Sequence, residues 1–156
     1  MNKEIQYIRQ SLLNILQGQP WHGRSVYSIL GDVHPDKVHI KPGGESHTLL
    51  QLLYHMVTWT EFTRAQIQEE GNADPSYFER LDWREIDPSL HSWEAGLKEF
   101  RESNEKILKL LENKEDSFLG GMVASRQYNF RFMLHGLIDH HIYHAAQVAF
   151  ICKLLS

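Results

Sequence analysis

The chain predicts an all-α fold, a four-helix bundle, and three observations predict it. Apolar residues recur every three or four positions in four separate stretches, Gly and Pro gather between those stretches, and no convincing pair of alternating strands occurs. Four such stripes are buried most simply against one another. With 156 residues, the chain has material for one domain, 1–156, and too little for two ordinary cores.

The first segment runs from Lys3 to Leu16, where Ile5, Ile8, Leu12 and Ile15 mark one buried helical face. Gly18 and Pro20 break it. Arg24 to Leu30 has room only for a short helix, and Asp32 to Glu45, with Pro35, Pro42, Gly43 and Gly44, makes a long connection between the first two bundle helices. Ser46 reads as the N-cap of the next segment, whose stripe of Leu49, Leu52, Leu53, Met56, Val57 and Thr60 runs toward Gln68. Gly71 and Asn72 end it. A loop with Pro75 follows, and Asp87-Pro88 reads as the N-cap and first residue of a third helix carrying Leu90, Trp93, Leu97, Phe100, Asn104, Ile107 and Leu111. Gly120-Gly121 separates it from a last helix, roughly Asn129 to Leu154, with Phe130, Leu134, Leu137, Ala145 and Val148 on its apolar side.

Composition closes off several classes of function. The chain has 16 Lys and Arg against 20 Asp and Glu, a net charge of -4, and no basic run to neutralise phosphates, so no nucleic-acid partner is expected. No apolar stretch reaches the roughly 20 residues that span a bilayer, and Met1-Asn2-Lys3-Glu4-Ile5-Gln6 lacks the features of a secretory signal. The lone Cys152 cannot form an internal disulfide, which suits a reducing compartment; a cytoplasmic protein is expected.

Ten histidines, spread between His22 and His144, need a reason. His140 and His144 lie one helical turn apart, a spacing at which two imidazoles can grip one cation. His141 and His144 form a competing pair, and spacing alone does not choose. His55 borders the stripe of the second bundle helix, between Leu52 and Trp59. One edge histidine there, with a pair on the last helix, can close three corners of a tetrahedral or octahedral site. His22, His34, His39, His47 and His91 read as exposed loop or helix-end residues. Asn104 interrupts an apolar stripe and needs a partner, either as a register-fixing core amide or as a group directed at the metal. Gln147 lies on the ligand side and is placed to orient a histidine or meet substrate. Trp59 and Tyr143 read as wall, Cys152 as apolar filler. The chain has no nucleophilic serine elbow, glycine-rich phosphate loop or His-Glu-x-x-His motif.

Trp21-His22-Gly23-Arg24-Ser25-Val26, then Ser46-His47-Thr48-Leu49-Leu50 leading to His55 and Trp59, then Leu137-Ile138-x-His140-x-x-Tyr143-His144-x-x-Gln147-Val148, resemble the DinB-like family of small metalloproteins over nearly the whole chain. The resemblance implies a four-helix bundle that holds one divalent metal, zinc or nickel, through one histidine of its second helix and two of its fourth. By position these are His55, His140 and His144. The chain departs from the family at Ala145-Ala146, where Arg-Gly often stands. Three neutral imidazoles leave a cation its full charge and an open position. The resemblance implies thiol-dependent S-transferase or isomerase chemistry; a cation with an open position would activate a low-molecular-weight thiol, or water, for attack on a small electrophile. By their places on the helix faces, Trp59, Asn104 and Gln147 are candidates to surround it. The alternative is a non-catalytic, stress-associated metal-binding protein that forms a homodimer.

Overall fold

The computed structural model describes residues 2–156. Six α-helices carry most of the described residues: α1 (Lys3–Gln17), α2 (Val26–Gly31), α3 (Leu49–Gln68), α4 (Pro75–Leu81), α5 (Trp93–Glu112) and α6 (Phe130–Leu154). Two 3-10 turns, Pro35–Lys37 and Asp116–Gly120, and a ribbon of β1 (Met122–Val123) paired antiparallel with β2 (Tyr128–Asn129) complete the elements. The fold is mostly helical. α3 packs on α5 and α6, α1 packs on the same two, and α2 lies beside α1 and α6.

α3 is buried on almost every side, as expected of a helix whose apolar residues are not confined to one stripe. The hydroxyls of Thr58, Thr60 and Thr63 therefore donate to the carbonyls of Tyr54, Met56 and Trp59 one turn back, at 2.8, 2.6 and 2.9 Å. Gln66, fully buried, exchanges hydrogen bonds with the backbone of Ala73. Gly96 lets α5 approach closely, because a Cβ there would lie 2.9 Å from Leu53 Cδ2 and 3.0 Å from the Tyr54 ring.

The structure moves two helix starts and adds two elements. Thr48, not Ser46, caps α3: its Oγ1 accepts the Gln51 N–H at 3.1 Å while the Gln51 side chain accepts the Thr48 N–H at 2.9 Å. Ser46 is occupied by Gly43. α5 starts at Trp93, not Pro88, because Ser92 Oγ accepts from Ala95 N–H, and Leu90, 71% exposed, drops out of the stripe. Asp87-Pro88 forms a separate turn, with its carboxylate accepting from Ser89. The loop expected around Pro75 is α4, with Asp74 as N-cap and Pro75 at the first position. Of the two Asp-Pro pairs, only the first opens a helix. The β1/β2 ribbon, two residues a strand, is too short to leave an alternating pattern in sequence.

α1 is capped from far along the chain. The Asp116 carboxylate accepts the N–H of Ile5 at 2.9 Å and of Glu4 at 3.3 Å, and Asn2 Oδ1 accepts the Asp116 N–H at 3.2 Å.

Candidate metal centre

α3 and α6 bring His55, His140 and His144 together. His55 Nε2 lies 3.0 Å from His140 Nε2 and 3.0 Å from His144 Nε2. All three ligand atoms lie within 4.8 Å of one another, so the trio can hold a metal ion. His55 and His144 are buried and His140 half-buried. The i and i+4 spacing on α6 sets two imidazoles side by side, and α3 runs past them with His55 between.

Two of the rings are fixed by outer partners. His55 Nδ1–H donates to Asp82 Oδ1 at 2.5 Å, and His144 Nδ1–H donates to the Gln147 amide oxygen at 2.6 Å. Because a carboxylate and an amide oxygen only accept, both neutral rings carry their proton on Nδ1 and point an Nε2 lone pair inward. Burial lowers the pKa of His55 and His144 despite these acceptors, and burial, with the neighbouring His144 and His55, pushes that of His140 down to about 3. Near pH 7 the rings are therefore neutral, and no proton lies between the Nε2 atoms of His55 and His144. Two lone pairs facing each other at 3.0 Å repel; a cation between them turns that repulsion into bonding, and two nitrogens each about 2.1 Å from one centre, set at about a right angle, stand that far apart. The donor set fits a divalent metal.

The segment after α4 supplies what sequence reading missed. Asp82 and Trp83 lie between two helices and carry no periodic signal. Arg84 anchors this segment, donating to Thr58 Oγ1 on α3 at 2.6 Å. Trp83 is stacked between two imidazoles, with ring centres 3.6 Å from His47 and 3.9 Å from His55 and planes within 9°. Its φ of 48° is rare for a bulky side chain and is held there by this sandwich. His47, read from sequence as an exposed helix-end residue, is half-buried at the site. An open cleft of about 740 Å³ meets the triad here, lined by His47, Trp83, Tyr143, Gln147 and Phe150 among others.

A sequence profile of the DinB superfamily matches residues 21–148. The chain belongs to the DinB superfamily. No curated protein and no solved structure gives a match.

The remaining sequence candidates of this DinB-superfamily chain fall in different places. His141 points the other way from the triad: it is fully buried beside Phe100, and its Nε2–H donates to Asn104 Oδ1 at 2.9 Å. Asn104, whose Nδ2 donates to Phe100 O, thus serves His141 rather than the three converging rings. Gln147 is at the site, holding His144. Trp59 stands one turn from His55 and lines a second cleft that it shares with His140. His140 Nδ1 is buried without a protein partner. No described helix is long and apolar enough to cross a membrane.

Proposed function

We propose that His55, His140 and His144 hold one divalent cation, zinc or nickel, and that the chain is a metal-dependent enzyme that activates a low-molecular-weight thiol, or water, for attack on a small electrophile. The inward-facing lone pairs of His55 and His144, with no proton available to separate them, carry the reading. When bound, such a cation supplies Lewis acidity that ionises a thiol or water near neutral pH.

The chain's own residues do the rest. Asp82 and Gln147 keep the proton on Nδ1 of their histidines, so both Nε2 atoms stay free to ligate. Trp83 covers one face of His55 and shields it from water. The 740 Å³ cleft is walled mainly by apolar side chains, and so admits a small apolar molecule to the triad. In this reading α1, α3, α5 and α6 are the four helices of the bundle, the whole chain is one domain, and the reducing cytoplasm suits the thiol. A non-catalytic, dimeric metal protein is the second reading, favoured by Tyr143, Phe150 and Leu154, which lie exposed along one side of α6.

Elemental analysis of protein purified without a histidine tag is expected to find about one metal per chain, lost in the His55→Ala, His140→Ala double variant and kept in His141→Ala. Unchanged metal in the double variant overturns the ligand set. Thiol consumption with a panel of electrophiles, measured with and without chelator, separates the two readings: chelator-sensitive turnover supports the enzyme, and tight metal binding without turnover supports the second.

A further inference from the structure

His140 borders a second cleft, about 440 Å³, that runs from the triad between α3 and α6. Its α6 wall extends from Phe132 to His140, eight residue steps and so about 12 Å of helix. Trp59 and Phe62 of α3 face it. Gly136 sits in its α6 wall, and a Cβ there would meet nothing within 4 Å. The walls are therefore apolar and the space is real.

One cation is delivered to this apolar cleft. The turn between β1 and β2 carries Arg126, whose guanidinium carbon lies 5.4 Å from the Phe62 ring centre and 5.8 Å from that of Trp59. Its side chain is only 27% exposed, and the one anion paired with it among the described residues is Glu79, at 2.9 Å. Glu79 is half exposed, and it meets this guanidinium through one carboxylate oxygen. A guanidinium offers planar paired donors that match a carboxylate, and the aromatic walls match an apolar body.

We propose that this cleft binds small monocarboxylic acids with an aromatic or branched apolar body, the carboxylate on Arg126 and the hydrocarbon end directed toward His140. The proposal rests on the metal reading only where it makes such an acid a candidate substrate; the binding site itself is independent of it.

Calorimetric titration of the metal-loaded protein with 4-phenylbutyrate and with its uncharged amide tests this, with metal content measured on each sample. The acid is expected to bind at least tenfold more tightly than the amide. Arg126→Gln is expected to bring the two within about threefold, and Gly136→Leu, which fills the cleft, to weaken both at least tenfold, while neither variant falls below the wild-type thermal midpoint or loses metal. A variant that loses that midpoint is replaced as a readout by the aromatic-ring proton contacts of the acid with Leu137 and His140 in the wild-type protein, measured by nuclear magnetic resonance; their absence overturns the site. Equal affinity for acid and amide overturns the role of Arg126, binding untouched by Gly136→Leu overturns the location, and no binding by wild type overturns both. Loss of metal from wild-type protein that still discriminates acid from amide would sink the triad reading and leave this one standing.

Discussion

Trp83 is the residue on which backbone conformation and site chemistry meet. Its positive φ costs an ordinary side chain about 1–2 kcal/mol, a cost glycine escapes. Trp83→Gly is therefore expected to be more stable than Trp83→Ala by about 1 kcal/mol, the reverse of the usual order, as read from urea midpoints; an alanine variant equal to or better than the glycine variant would show that the strain is absent. Both variants lose the stack on His55. The triad was legible as spacing plus resemblance: the helical period put His140 and His144 on one side, and left His141 as a rival. What separates His141 is tertiary, since its ring turns into the core toward Asn104 and Phe100. Asp82, Trp83 and His47 were illegible because each acts through a contact between segments, and neither periodicity nor local propensity encodes such contacts.

At the scale of elements, helix interiors could be read, and so could both ends of α1 and α6, but the starts of α3 and α5 could not. The stripes of α1, α3, α5 and α6 are set by burial over many residues, whereas an N-cap depends on a single side chain, and neighbours such as Ser46 and Thr48 offer the same chemistry. α1 is the extreme case, since its N–H groups are met by Asp116, more than a hundred positions away. Those hydrogen bonds hold the Asp116 carboxyl below its ordinary pKa. Its stabilising contribution is thus complete above the ordinary carboxylate pKa and is lost as pH falls through the lowered folded value. Asp116→Asn is expected to be less stable than wild type at pH 7, with the gap closing as pH falls through that range in denaturation series; a gap independent of pH would refute the assignment. After α3, Gly71 has φ 90° and a Cβ there would lie 2.4 Å from Met122 O, so Gly71→Ala is expected to destabilise by about 1–3 kcal/mol in the same assay. A neutral outcome would mean that the ribbon can move aside.

For the whole molecule, an ion bound by the three histidines would tie α3 to α6, the two helices that bring them together. Metal at a hundredfold excess over its dissociation constant adds about 2.7 kcal/mol to stability, which for a chain of this size is roughly 5–10 °C in thermal midpoint. Chelation is expected to lower the midpoint by that amount and to leave the His55→Ala, His140→Ala variant unmoved; equal shifts in both would place the ion elsewhere. His140 has a further consequence, since this single imidazole is the partition wall between the two hollows. Occupants of the two sides would meet the same ring, and any shift one imposed on it would be felt by the other. Whatever factor the first applies to the second's affinity, the second returns in equal measure.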